Sequence, residues 1–181
     1  MKIISGKLKG RVVKGYDIEG TRPTMDRVKE SVFAMIQDYV NNSIILDLFA
    51  GTGNYGIEGI SNGAQKVYFN DKNIKCTNLI KEELINFNIL DYGIITTFDY
   101  QKALNYYKKE NIKFDIIFLD PPYKELVVNE ILLFIENNNL LKKNGLVICE
   151  VTSNIEYLNN QLILFKERKY GEKKVFIYKN I

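Results

Sequence analysis

Ile44-Ile45-Leu46-Asp47-Leu48-Phe49-Ala50-Gly51-Thr52-Gly53-Asn54-Tyr55-Gly56 is the stretch whose reading decides the fold. An apolar run of strand length ends at a carboxylate, turns on glycines and continues into a helix expected to reach about Asn62. The same alternation repeats downstream. Val67–Phe69, Ile94–Phe98, Ile116–Leu119 and Leu146–Cys149 read as strands. Helical stretches between them run through Leu79, Ile80 and Leu84, through Ala103, Leu104 and Tyr107, and through Ile131, Leu132 and Ile135. Strands that alternate with helices and are apolar on both faces call for a parallel sheet covered on both sides. Leu162–Phe165 and Val175–Tyr178, joined near Gly171, read instead as an antiparallel hairpin closing that sheet.

Upstream, Ile3-Ile4 and Val12-Val13 flank Gly6 and Gly10, the pattern of a small β-hairpin. Arg22-Pro23-Thr24 then introduces a helix, with Thr24 as the expected N-cap and Val28, Val32, Met35, Ile36 and Tyr39 as its apolar stripe. The expected organisation is a basic extension over residues 1–24 and an α/β domain over 25–181. That domain is a Rossmann-like, mostly parallel seven-stranded sheet.

The 181 residues are 46% hydrophobic and 26% charged, ordinary globular composition with enough chain to bury a core without staples. There is no histidine and there are only two cysteines, Cys76 and Cys149, with no CxxC pair. This excludes His-containing zinc sites and Ser-His or Cys-His nucleophiles, and no metal is expected. The first ten residues contain no apolar core of a signal peptide, and no run approaches the roughly 18 apolar residues of a membrane span. A reduced, cytoplasmic, monomeric protein is the expectation. The net charge of +3 divides unevenly: residues 1–30 and 166–181 each carry +4, leaving −5 for the centre. Basic ends suit a polyanion, although lysine-rich termini also serve simply to solvate a surface.

In sheets of this kind ligands bind beyond the carboxyl ends of the strands. Asp47, Asp71, Asp99, Asp120 and Glu150 all stand at such ends. Capping of the following helix would explain Asp99 alone, but is a weaker account of five acids together. Gly51-Thr52-Gly53-Asn54-Tyr55-Gly56 matches the dinucleotide pattern GxGxxG, with Asp71 following 20 positions after Gly51. A pyrophosphate among so many carboxylates would be repelled, whereas a cationic adenosyl cofactor would be attracted. S-adenosylmethionine fits. Asp47 and the glycine loop would hold its methionine portion, Asp71 its ribose hydroxyls, and Asp99 its adenine amine. Phe49, Ala50, Thr52, Lys72 and Tyr100 complete the candidate cofactor set around those strand ends.

Asp120-Pro121-Pro122-Tyr123 suits chemistry on the exocyclic amine of a nucleobase. The Asp120 carboxylate and the Pro121 carbonyl can accept its two N–H groups and stabilise the charge that develops on nitrogen. Prolines stiffen the loop, and the Tyr123 ring offers a stacking platform for the base. The residues alone leave open an adenine-N6 or cytosine-N4 methyltransferase, a nicotinamide oxidoreductase, and a non-catalytic RNA-binding module.

Asp47–Gly53, Asp71-Lys72-Asn73 and Asp120–Tyr123 resemble the motifs of class I amino-methyltransferases. Gly6, Gly10-Arg11, the run Arg22–Glu30 and Arg168-Lys169-Tyr170-Gly171 narrow the resemblance to the RsmD-type guanine-N2 methyltransferases of bacterial small-subunit ribosomal RNA. It implies S-adenosylmethionine as methyl donor and one guanine of 16S ribosomal RNA, within an assembling small subunit, as acceptor. It further implies an RNA grip by the basic N-terminal segment, for which Lys7, Lys9, Arg11 and Arg27 are the candidates. Arg22, Thr24 and Arg27 would lie close to the reacting base. The sequence departs from the common pattern at Asn54-Tyr55, where small residues are usual, and at Tyr123, where phenylalanine is also common.

Overall fold

The computed structural model describes residues 1–14, 22–121, 126–157 and 161–181; the side chains of residues 22–25 and 126 also lie outside what is described. Seven strands, β1 (Ile44–Asp47), β2 (Lys66–Asn70), β3 (Gly93–Thr96), β4 (Phe114–Leu119), β5 (Leu141–Val151), β6 (Leu162–Tyr170) and β7 (Lys173–Asn180), form one sheet in the order β3-β2-β1-β4-β5-β7-β6. The first five pair in parallel, and β7 enters antiparallel between β5 and β6. Strand order reverses between β1 and β4, where a ligand crevice is expected in such a sheet.

Alternate side chains of each strand enter opposite cores, as the period of two requires. Ile45, Val67, Phe69, Ile116, Phe118 and Ile148 meet α1 (Arg22–Val40), α2 (Asn54–Ser61) and α3 (Ile74–Asn86) on one face. Leu46, Leu48, Ile117, Leu119, Val147 and Cys149 meet α4 (Tyr100–Lys109) and α5 (Leu126–Asn137) on the other. The expected doubly covered α/β sheet with an antiparallel end is the observed one. Among the described residues no helix is long and apolar enough to cross a membrane.

Several boundaries differ from expectation, three of them near the N-terminus and the rim for local physical reasons. The N-terminal hairpin narrows to a single antiparallel bridge, Lys2 with Val12, around one 3-10 turn at Gly6–Leu8. Ile3, Leu8 and Val13 nevertheless enter the first core. Thr24 is not the N-cap, because α1 already includes Arg22; a proline in the first turn has no N–H to miss. β3 stops at Thr96, short of Phe98, because Asn70 takes over: its Oδ1 accepts from Thr96 Oγ1 and from Phe98 N.

A buried ion pair fastens the N-terminal segment to the domain. Lys29 of α1 and Glu58 of α2, 1% and 0% exposed, are 2.9 Å apart. Lys29 Nζ also donates to the Lys2 carbonyl and to Asn54 Oδ1, while Glu58 accepts from the amides of Ile4 and Ser5.

α2 approaches the sheet closely because it is glycine-bearing. A Cβ on Gly56 would lie 2.1 Å from Cε1 of the fully buried Phe69. Alanine in place of glycine within a helix is ordinarily worth about 1 kcal/mol of stability. Here the ring cannot move without repacking the core, so the sign reverses. Gly56→Ala should destabilise the protein by about 2 kcal/mol, read as a lowered midpoint of urea unfolding.

Candidate active site

The carboxyl ends of β1 to β5 converge on one rim. Leu48 N donates to the Phe118 carbonyl and Ala50 N to the Asn70 carbonyl, so the loop after β1 is tied to both neighbouring strands. Asn70, which is buried, donates through Nδ2 to the carbonyls of Leu48 and Phe98. It therefore holds three strand ends together. Sequence reading singled out the adjacent Asp71 at this strand end, and nothing local pointed to Asn70.

Two hollows share this rim. A cleft of about 420 Å³ is lined by Leu48, Phe49, Gly51, Asn70, Asp71, Lys72, Phe98, Asp99, Tyr100, Asp120, Pro121 and Val127. A recess of about 30 Å³ beside it is lined by Asp47, Phe49, Ala50, Asn54, Tyr55, Asp120 and Glu150. Phe49 and Asp120 line both, so Asp120 stands where they meet. Of the candidate cofactor set, Phe49, Gly51, Asp71, Lys72, Asp99 and Tyr100 face the cleft, and Asp47 and Ala50 face the recess. Pro121 lines the cleft; Pro122 and Tyr123 lie outside the described residues.

The other glycine-loop residues are framework. Gly53 precedes α2 at φ +81°, with Ile80, Ile57 and Phe69 within 3.4 Å of where a Cβ would sit. Gly56 serves the contact with Phe69. Thr52 is buried, and its Oγ1 has no hydrogen-bond partner among the described residues.

The acids differ in their surroundings. Asp71 accepts from Gly51 N at 2.9 Å and from Asn73 N at 2.8 Å, bracing the glycine loop against the end of β2. Asp99 caps α4 by accepting from Lys102 N at 2.8 Å, so the capping role read for it is real, yet it also borders the cleft. Asp47 is buried and accepts one hydrogen bond from the described residues, from Gly56 N at 3.0 Å. Burial outweighs that bond, and with Asp120 and Asp71 nearby the Asp47 carboxyl is pushed up to about 7. Asp120 is likewise raised to about 7, by burial first and then by the charge of Glu150, with Lys173 opposing.

Glu150 and Lys173 form an ion pair, and Tyr55 Oη donates to the same carboxylate at 2.6 Å. Sequence reading had Glu150 among the rim acids but not these partners, which reach it from another helix and from the antiparallel β7.

The expected RNA-contacting residues separate into two groups. Lys7 lies 4.1 Å above the Tyr92 ring and Arg11 5.5 Å from that of Phe87. Both rings belong to the connection entering β3, so these cations, with exposed Lys9 between them, sit at the amino-end edge, opposite the cleft. They are not brought to Asp120. Arg27 is exposed near the start of α1, at the rim, where Lys29 two residues on reaches Asn54. The backbones of Arg22 and Thr24 belong to that same helix start.

This fold is that of the Rossmann-like methyltransferases. A solved structure described as a putative methyltransferase, yhhF, from Escherichia coli aligns with a TM-score of 0.87 at 22% identity, over 99% of this chain and 97% of that one. The family described as Conserved hypothetical protein 95 matches residues 1–179. The chain is 36% identical over 181 residues to the Putative rRNA methyltransferase YlbH of Bacillus subtilis, covering 99% of this chain and 98% of that protein. It is 37% identical over 149 residues to Ribosomal RNA small subunit methyltransferase D of Buchnera aphidicola, covering 82% and 76%. The chain belongs to the Conserved hypothetical protein 95 family, the RsmD-type methyltransferases.

A carboxyl that binds its proton more tightly in the folded state than in the unfolded chain stabilises the fold at low pH. That contribution is lost as pH rises from the ordinary value of 3.8 through about 7. Asp47→Asn keeps an acceptor for Gly56 N and removes the charge. The unliganded variant should therefore be more stable than the wild type at pH 8, by roughly 2 kcal/mol, and no more stable at pH 5, as urea unfolding at both pH values will measure.

Proposed function

We propose that this protein is an S-adenosylmethionine-dependent methyltransferase that modifies the exocyclic N2 amine of a guanine in small-subunit ribosomal RNA. The observation that carries the reading is Asp120–Pro121 at the junction of the cleft and its acidic recess, in a chain whose relatives bear the name ribosomal RNA small subunit methyltransferase D.

The residues suit the cofactor. Asp71, Asp99 and Asp120 outnumber Lys72 on the cleft wall, which favours a cationic ligand over a pyrophosphate and argues against a nicotinamide cofactor. Buried Asp47 has no cation bonded to it among the described residues, and the orphan Thr52 hydroxyl lies in the same loop. Phe49, Phe98 and Tyr100 give apolar walls for a purine. When bound, S-adenosylmethionine supplies a methyl group on a sulfonium. Asp47 holds the amino end, Asp71 the ribose hydroxyls and Asp99 the adenine amine. Asp120 Oδ and the Pro121 carbonyl accept the N–H groups of the guanine amine, leaving its lone pair directed at the methyl. Tyr123 keeps its sequence-based assignment as the base platform.

RNA would be gripped at the rim by Arg27, with Arg22 and Thr24, and by the β6–β7 turn. There Lys169 stands directly opposite Lys174, a like-charge pair that a polyanion would relieve. Lys7, Lys9 and Arg11 would meet phosphates at the far edge of the sheet. The protein would act as a monomer in the cytoplasm, on RNA of an assembling small subunit.

Incubating unmodified ribosomal RNA with labelled S-adenosylmethionine, then mapping nucleosides, should place the label in N2-methylguanosine. Label in adenine or cytosine would refute guanine as the target. Asp120→Ala should lower transfer at least about 100-fold while calorimetry finds cofactor affinity retained. Reversing charge at Lys169 and Lys174 together should weaken RNA binding and flatten its logarithmic salt dependence by roughly one unit per lost phosphate contact.

A further inference from the structure

We propose that Glu150, clamped by Tyr55 and Lys173 on the strand beside Asp120, is the positioning residue that prepares Asp120 to take the proton the amine gives up. This rests on the methyltransferase reading above and assigns a role that reading leaves open.

The geometry begins with register. β4 and β5 run parallel with Leu119 opposite Cys149, so Asp120 and Glu150 occupy the next position on adjacent strands and face the same recess. In β7, Lys174 stands opposite Val151 and Val175 opposite Glu150, which brings Lys173 to the rim, where it pairs with the Glu150 carboxylate. Tyr55 arrives from α2. Its ring stacks on Phe118 at 4.9 Å between centroids, and its hydroxyl donates to Glu150 at 2.6 Å. Burial and the carboxylates of Glu150 and Asp120 keep that hydroxyl protonated, so Tyr55 is a donor here. Glu150 itself is 7% exposed, and it is held from two sides, by Tyr55 and by Lys173.

Among the described residues, the groups facing Asp120 are Asp47 of β1, Tyr55 of α2, Glu150 of β5 and Lys173 of β7. Glu150 makes ionised Asp120 less favourable and Lys173 makes it more so, a balance set by one ion pair. As the amine takes the methyl, the N–C bond would form while the sulfonium S–C bond breaks with its electron pair left on sulfur, and the nitrogen would gain positive charge. One N–H bond then breaks, the electron pair stays on nitrogen, and the proton forms an O–H bond on Asp120. An Asp120 raised to about 7 is a stronger base for that proton than an ordinary aspartate at 3.8.

The test is a carboxyl carbon-13 NMR titration of Asp120 in the full chain without ligand, its resonance assigned by loss in Asp120→Asn. Glu150→Gln should lower the Asp120 midpoint by roughly one pH unit, and Lys173→Gln should raise it. The acid limb of kcat/KM for RNA methylation should move the same way in each variant. An Asp120 midpoint unmoved in the folded variants overturns the proposal, and Lys173→Gln alone suffices if Glu150→Gln does not fold. Midpoints that move as expected while the wild-type chain methylates no RNA would overturn the methyltransferase reading and leave the clamp standing.

Discussion

The parallel pairing of β1 with β4, Asp47 opposite Phe118, is the constraint on which the site depends. Strand order reverses between these two strands, so the loops leaving them diverge and open a crevice. The same register brings Asp47 and Asp120 to its floor from adjacent strands. Neither has a cation bonded to it among the described residues, since the cation nearest in effect, Lys173, is paired with Glu150. Two carboxyls are thus held close together in surroundings that disfavour their charge.

The rest of the rim is built to keep that arrangement. Asn70 ties the loops after β1, β2 and β3 to one another. Gly51 N on Asp71 fixes the glycine loop to β2, and the Gly56–Phe69 contact seats α2 against the sheet so that Gly56 N reaches Asp47. From behind, Lys29 bonds Asn54 at the head of α2 and pairs with Glu58 one turn along. Breaking a buried pair of this kind by removing one partner typically loses several kcal/mol, because the other charge is left unmatched. The N-terminal segment, through the Lys2 carbonyl and the amides of Ile4 and Ser5, is therefore part of the scaffold that sets the position of α2.

Much of this was legible in the chain. Apolar runs ending in acids gave all five parallel strands and the rim, because a strand buried on both faces must be apolar throughout while its end need not be. The ends of strands were less legible. β5 begins at Leu141, through Lys142-Lys143-Asn144, a polar stretch that does not read as strand; Lys142 instead pairs with Asp115. β6 runs on through Lys166–Tyr170 because it is an edge, where charged side chains remain in water. Tyr55 and Lys173 as partners of Glu150 could not be read at all, since their meeting depends on β7 inserting between β5 and β6. Thr24 misled for a local reason: a good capping residue beside a proline is equally at home within the first turn of the helix.

A site of this composition is poised between charge states. Burial without a counter-charge raises Asp47 and Asp120, so near neutral pH each stands between its two charge states. Whatever brings positive charge into the recess favours the ionised forms, releases protons and stabilises the fold at the same time, because binding to the native state alone is a stabilising linkage. Glu150 differs from both in its partners, since Lys173 pairs with it within the chain. The division of labour among the acids follows from their partners: Glu150 has its cation within the chain, and Asp47 and Asp120, with none bonded to them among the described residues, respond to what binds.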